Sequence, residues 1–369
     1  MYDVIVIGGG VIGGAIIREL SRYQLEVCLL EKENDVCMGQ SKANSGIVHA
    51  GFDAKENTLK AKFNLLGNKM MKSYAETLGV KYKNNGSLVV AFSEDDLKVL
   101  SELKARGERN GVDGLEIITR EKLLELEPNI SSEAVGALYA TTGGIVCPYE
   151  LTIAEIGNAM DNGAKLLTNF EVVKIDGDCG DYTVYSSDGD YLKGKVIVNA
   201  SGLSGAAISA LVGDNSFKIG ARRGEYVLLD KNSGSFVNHT LFFTPTAKGK
   251  GILVSQTVDG NIILGPTAEE IGSGDTDTTA EGLSSVLGKA KVMTTNPPIY
   301  NSITSFSGVR AYSDRHDFII EESKVKRGFI NCVGIESPGL TSAPAIGQYV
   351  VKDIIGKILT LNEKPNFIE

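Results

Sequence analysis

The sequence has no Cys-x-x-Cys pair and no cluster of cysteine and histidine at metal-ligand spacing, which excludes an iron–sulfur centre of the usual kind. Its five cysteines, Cys28, Cys37, Cys147, Cys179 and Cys332, are odd in number and widely spaced, so they read as reduced thiols. Histidine is scarce as well, with three in the chain. No run of lysine and arginine resembles a nucleic-acid stripe or a polybasic patch, and the formal net charge is −9, so nucleic acid is not expected as a partner. An anionic small substrate would have to be met by a few placed cations against the overall field. There is no low-complexity tract, no apolar run long enough to span a membrane, and no room for a signal peptide before a strand that begins at Tyr2. A cytoplasmic protein is expected; peripheral contact with a membrane and the oligomeric state are left open.

What is present fits a two-domain globular chain. There are 369 residues, 42% of them hydrophobic and 22% charged, enough for a dinucleotide domain and a second domain. Residues 2–7 form a nearly continuous apolar run, residues 11–23 carry Ile12, Ile16, Ile17 and Leu20 at helical spacing, and residues 26–31 (EVCLLE) form a second β-like run. That is a strand–helix–strand unit of about thirty residues. Helical patterns follow at 58–78, 94–110 and 149–162, with strands at 86–92 and 195–200. Residues 220–266 are rich in alternating segments, GEYVLL, TLFFT, GILVSQT and NIILG, which predict a substantial antiparallel sheet. The C-terminal part returns to strand, turn and helix at 328–333, 337–339 and 342–359. The dinucleotide domain is therefore expected to be discontinuous, spanning 1–80, 142–216 and 305–369, with the other domain at 81–141 and 217–304.

Gly8-x-Gly10-x-x-Gly13 follows the first strand and opens the helix, and Glu31 ends the next strand eighteen residues after Gly13. Gly8 permits the tight turn, Gly10 lets backbone approach a pyrophosphate, and Gly13 lets helix and strand pack closely. The phosphates would rest on the helix N-terminus, and Glu31 would accept hydrogen bonds from the adenosine ribose. A ligand-free glycine turn would explain the glycines but not the strands, helix and acidic residue together. The motif by itself does not separate NAD from FAD.

Further segments resemble the glycine-oxidase/D-amino-acid-oxidase superfamily of FAD enzymes, more narrowly its glycerol-3-phosphate oxidase and dehydrogenase branch. They are Ser41-Lys-Ala-Asn-Ser-Gly-Ile-Val-His-Ala-Gly51, Thr142-Gly-Gly-Ile-Val-Cys-Pro148, Val198-Asn-Ala-Ser-Gly202, Arg223-Gly-Glu225, Thr244-Pro-Thr-Ala-Lys-Gly-Lys-Gly251, Gly308-Val-Arg310 and Gly334-Ile-Glu-Ser-Pro-Gly-Leu-Thr-Ser342. The first of these, with the downstream LKAK, is similar to both glycerol-3-phosphate oxidases and L-2-hydroxyglutarate oxidases; PTAKGKG and GIESPGLTSAP look more like the former. The resemblance implies an α/β protein with a Rossmann-like FAD-binding domain, discontinuous in sequence, and an α+β substrate domain built on an antiparallel sheet. No cysteine or histidine is placed for a covalent link, so the FAD is expected to be held non-covalently.

By the same resemblance the segment around His49 lies against the flavin ring, making His49 the candidate base for an alcohol proton, since imidazole titrates in the right range. Ser41, Asn44 and Ser45 would hydrogen-bond to the ring. Gly339, Leu340 and Thr341, just ahead of the last helix, would bring a helix N-terminus to the part of the ring that gains negative charge. Arg310 is the bidentate cation for a phosphate or carboxylate, with Lys248 and Lys250 assisting. Arg222 and Arg223 are expected in structural or entrance roles.

The expected activity is FAD-dependent oxidation of sn-glycerol 3-phosphate to dihydroxyacetone phosphate by hydride transfer to flavin N5, with O2 as acceptor giving H2O2. L-2-hydroxyglutarate oxidation, a glycerol-3-phosphate dehydrogenase using another acceptor, and amine oxidation are the alternatives. Some relatives carry a C-terminal cysteine-rich iron–sulfur domain; the chain reaches Glu369 without one, which counts against a partner-dependent dehydrogenase. A non-catalytic flavoprotein would be expected to lack His49 and Arg310, and both are present.

Overall fold

β1 (Tyr2–Ile7) is buried over its last four residues, as a parallel strand covered on both faces must be. It runs between β2 (Val27–Leu30) and the second half of the strand Tyr191–Asn199, both parallel to it. α1 (Val11–Ser21) crosses from β1 to β2 and is buried almost throughout, with Arg18 in its last turn complementing the helix dipole. The computed structural model describes residues 1–245, 251–272 and 274–369.

Beyond β2 the first sheet continues to Lys165–Leu167, and on the other side it passes through Tyr191–Asn199 to Phe329–Val333, again parallel. Ile319–Glu322 closes that edge antiparallel, and the hairpin Val172–Asp176/Tyr182–Ser186 pairs with the first half of Tyr191–Asn199. The sheet is thus assembled from the first thirty residues, a middle segment and the C-terminal part. Its apolar core includes Val4, Val6, Ile16, Leu20, Val196, Val198, Ile330 and Ile346.

Among the described residues the second sheet has nine strands. Ser302–Ser313 pairs along its whole length with Ile219–Leu229, so the expected boundary at 305 falls inside a strand of this sheet. The order continues through Ile262–Gly265, Leu253–Gln256, Thr240–Phe243, Ser87–Ala91, Gly136–Ala140 and Leu115–Thr119. The pairing is antiparallel except for Thr240–Phe243 on Ser87–Ala91, which is parallel. Local alternation in the sequence carries no information about a partner 150 residues away, so that exception was not foreseen. Ser87–Ala91 is buried at every position rather than on alternate residues, because the sheet is covered on both faces there.

A small third sheet joins β3 (Ile47–Val48) to Gly144–Val146 and Tyr82–Lys83. α2 (Leu59–Thr77) begins one residue after Thr58, whose hydroxyl accepts from the Ala61 N–H at 3.1 Å. The last long helix, Gly339–Tyr349, starts three residues earlier than expected, directly after Pro338, which leads into a helix as its N-cap. It then continues as a short π segment, Val350–Ile354, in place of regular helix to 359. It packs on α1 and α2 at glycines: a methyl on Gly347 would meet the Ala15 carbonyl oxygen at 2.6 Å, and one on Gly67 would collide with the Thr341 carbonyl. These contacts bring its first turn to the mouth of β1. No described helix is long and apolar enough to cross a membrane.

Candidate active site

A cavity of about 1600 Å³ runs from the end of β1, past β3, to the second sheet. At one end its wall is backbone. Gly8 has φ +112°, and a methyl there would sit 2.5 Å from the Ala200 carbonyl oxygen, while one on Gly13 would collide with the Gly8 carbonyl oxygen. Gly10 is the N-cap of α1 and makes no side-chain cap, and no acidic residue lies in the first turn, so the positive end of the helix dipole faces the cavity. Ser41 Oγ accepts from the Val11 N–H at 2.9 Å and lies 3.0 Å from where a Gly10 methyl would stand. Glu31 accepts from the Gly9 N–H at 2.7 Å and the Glu33 N–H at 3.0 Å; a carboxylate has about four lone-pair sites, so two remain. A glycine cradle, a positive helix end and an acidic residue one strand away fit a dinucleotide pyrophosphate and ribose. Burial pushes the Cys28 and Cys37 thiols up to about 11, so both stay protonated near neutrality.

At the other end the wall is side chains. His49 follows β3, and its backbone is held on both sides: the N–H donates to Thr341 Oγ1 at 2.9 Å, and the carbonyl accepts from Asn64 at 2.8 Å and Asn68 at 3.1 Å. Its imidazole lies 6.0 Å from the Phe242 ring centre, with Nε2 at 3.3 Å from Ser337 Oγ. Tyr226 stacks on Phe306 at 4.8 Å. Burial pushes its phenol up, against the Arg310 charge and a hydrogen bond with Ser45 that act the other way, so it stays neutral.

Arg310 projects from Ser302–Ser313 into the cavity and donates to the Thr267 carbonyl at 3.1 Å. Among the described residues no carboxylate pairs with it. Two neighbouring cations are paired: Arg222 with Glu270 at 3.4 Å and Glu336 at 3.5 Å, and Lys60 with Glu336 at 2.8 Å; Lys55 and Lys289 also line the cavity. The Ser41–Gly46 loop is locked against this strand. Gln40 receives the Ala311 N–H at 2.6 Å and donates to the Ile335 carbonyl at 2.9 Å, and a methyl on Gly308 would collide with the Ala43 carbonyl.

Gly8, Gly10, Glu31, Ser41, Asn44, Ser45, His49, Arg310, Gly339 and Leu340 therefore line one cavity. Gly13 lies behind it, packing α1 on the Gly8 turn. Thr341 does not line it: the residue is fully buried and its hydroxyl braces the backbone of Ile47 and His49, because the helix turns that side chain inward. The Asn44 side chain is engaged by its own loop, donating to the Ser41 carbonyl at 2.8 Å and accepting from the Gly46 N–H at 2.9 Å. Lys248 and Lys250 lie outside the described residues. Arg223 is buried and bound to Glu225, Glu269 and Asp275, as a structural arginine would be. Lys60, Phe242, Thr267, Glu336 and Ser337 were not singled out from the sequence; Glu336 and Ser337 stand in the GIESPG segment, but only the residues after them were read.

The family model described as FAD dependent oxidoreductase (DAO) matches residues 3–352. A glycerol 3-phosphate dehydrogenase of Caloramator mitchellensis is 47% identical over 369 residues, all of this chain and 76% of that protein. A glycerol 3-phosphate oxidase of Mycoplasma pneumoniae is 34% identical over 378 residues, covering 99% of this chain and 97% of that protein. The solved structure of dithionite-reduced L-alpha-glycerophosphate oxidase from Mycoplasma pneumoniae, with FAD bound, superposes with a TM-score of 0.94 at 33% identity over 100% of this chain and 97% of that one.

Proposed function

The chain belongs to the DAO family of FAD-dependent oxidoreductases, and from that premise we propose that it oxidises sn-glycerol 3-phosphate to dihydroxyacetone phosphate, with O2 as electron acceptor and H2O2 as second product. The observation that carries this reading is the pairing, in one cavity, of the His49 imidazole with an arginine that no described carboxylate neutralises. Similarity to proteins named for glycerol 3-phosphate over nearly the full chain supports the substrate.

Bound FAD supplies the two-electron acceptor. Arg310 takes the phosphate through its guanidinium fork, which matches two phosphate oxygens. His49 accepts the proton of the C2 hydroxyl, and its ring is oriented by Ser337 Oγ at Nε2 and by the fixed backbone on either side. Tyr226 and Phe242 line the cavity between these groups with apolar surface, which lowers the local dielectric and strengthens the ion pair to the phosphate. The balance is one alcohol and one O2 consumed, one ketone and one H2O2 formed.

Anaerobic addition of sn-glycerol 3-phosphate should bleach the flavin absorbance, and glycine or L-2-hydroxyglutarate should not at equal concentration. Admission of air should then restore the colour with one H2O2 per turnover. Bleaching by another donor alone overturns the substrate; bleaching by sn-glycerol 3-phosphate with no return of colour in air overturns the acceptor.

A further inference from the structure

Arg222 and Arg310 lie directly opposite on the antiparallel pair Ile219–Leu229/Ser302–Ser313, so their side chains leave the same face of the sheet, and both line the cavity. Like charges at that spacing repel. The protein treats the two differently. Arg222 packs its guanidinium 4.7 Å from the Tyr312 ring centre and pairs with Glu270 and Glu336. Glu336 binds Lys60 Nζ as well, at 2.8 Å. One carboxylate is therefore shared by two cations of this wall, and its side chain is only 14% exposed, where solvent screens poorly. Arg310 is left with a neutral carbonyl.

We propose that Glu336 is a specificity-determining residue: by holding Arg222 and Lys60 it leaves Arg310, alone of the three cations, for the substrate. Around Arg310 the wall is thereby fitted to one compact anionic group rather than to the two carboxylates of a dicarboxylate. The proposal rests on the reading of the cavity as the site of an anionic alcohol. A phosphate monoester concentrates its charge on one group that a single guanidinium fork can bind. A hydroxy-dicarboxylate carries two separated charges, and the second would need a cation of its own. Glu336→Gln keeps the shape of the side chain and removes the negative charge, so Lys60 and Arg222 become available to a second carboxylate.

The test is equilibrium binding of two unreactive anions, inorganic phosphate and glutarate, to the FAD-loaded protein, read as perturbation of the flavin spectrum and by calorimetry. Glu336→Gln should raise the preference for glutarate over phosphate about tenfold, the lower end of what one added charge-assisted hydrogen bond contributes. Glu336→Asp should keep the wild-type preference, and adding Arg222→Gln to Glu336→Gln should bring the preference back. An unchanged preference in Glu336→Gln, with flavin content and melting temperature like wild type, overturns the proposal. If that variant loses its flavin, Lys60→Met tests the same claim from the other side. With one cation gone, Glu336 carries uncompensated charge, and both anions should bind about tenfold more weakly; unchanged binding overturns the proposal. Neither probe is oxidised, so a wild type that fails to bleach with sn-glycerol 3-phosphate defeats the proposed substrate and leaves these titrations decisive.

Discussion

The dinucleotide end of the cavity is built largely from main chain: three glycines, a helix end whose Val11 N–H donates to Ser41 Oγ, and one carboxylate already held by two backbone N–H groups. The alcohol end is built from side chains that oppose one another, with Lys60, Arg222, Arg310, Glu336 and His49 converging from different elements. The first end can recognise its ligand with no net rearrangement of charge, because helix dipoles are fixed by the fold. The second end chooses its ligand by which charges it neutralises. The two should therefore fail differently under mutation, one by losing the cofactor outright and the other by losing rate or selectivity with the cofactor in place.

The largest effect should come from Gly13→Val. The new side chain would be driven into the Gly8 carbonyl, and neither backbone can yield without parting α1 from β1. We expect no retained flavin and no activity, measured as the absorbance ratio of the purified protein. Yellow protein with normal turnover would break the contrast, since it would show the cradle to be adaptable. His49→Asn should come next, with flavin content and substrate affinity near wild type and anaerobic flavin reduction slowed about 10²–10⁴-fold, the usual worth of a positioned base. Reduction at the wild-type rate would assign the base to another group.

Arg310→Lys should have a smaller and more selective effect. A point ammonium cannot reproduce the fork, and loss of one charge-assisted contact costs about 1.5–3 kcal/mol, so KM for a phosphorylated substrate should rise roughly 10- to 150-fold while flavin content stays unchanged. An unchanged KM moves the anion site elsewhere on the wall. This variant also sharpens the comparison, because the same exchange of charge type has no counterpart at the dinucleotide end.

How much of each end was legible follows from the same difference. Gly8, Gly10, Gly13 and Glu31 stand within one strand–helix–strand unit, and their spacing is fixed by local geometry. The strand and helix runs around them were readable for that reason. The alcohol end joins residues such as Lys60 and Glu336, 276 positions apart in the chain, and no periodicity links them. His49 and Arg310 were reached through segment resemblance rather than through spacing. Glu336 carried no signal, since a glutamate in a turn is ordinary until two cations are seen to meet it. Thr341 was placed at the ring because its segment begins a helix; only the helix's rotation, set by packing on α1 and α2, shows that its side chain braces His49.

The smallest expected effect tests whether the dinucleotide end is free of working charge even behind α1. There Glu155, fully buried, accepts from Tyr74 Oη at 3.0 Å, and its second oxygen has no partner among the described residues. Arg18 and Cys37 also face it, but Arg18 has Glu369 as its ion partner at 3.2 Å. Burial is the largest influence and pushes the Glu155 carboxyl well above the usual carboxylate range, against the opposing pull of Tyr74 and Arg18. Burial thus favours the neutral acid over the carboxylate in the folded protein. Because its folded value lies above the unfolded one, near 4.3, its contribution to stability is complete below that value and is lost as pH rises toward the folded value. Glutamine mimics the neutral acid and does not titrate. Glu155→Gln should thus match wild type near pH 4, melt higher by roughly 2–4 °C at neutral pH, the shift that about 1 kcal/mol gives in a large domain, and show a flatter dependence of melting temperature on pH. If the variant melts lower at neutral pH, Glu155 is ionised and serves as a counter-ion of Arg18, and the back of the dinucleotide helix carries a working charge after all.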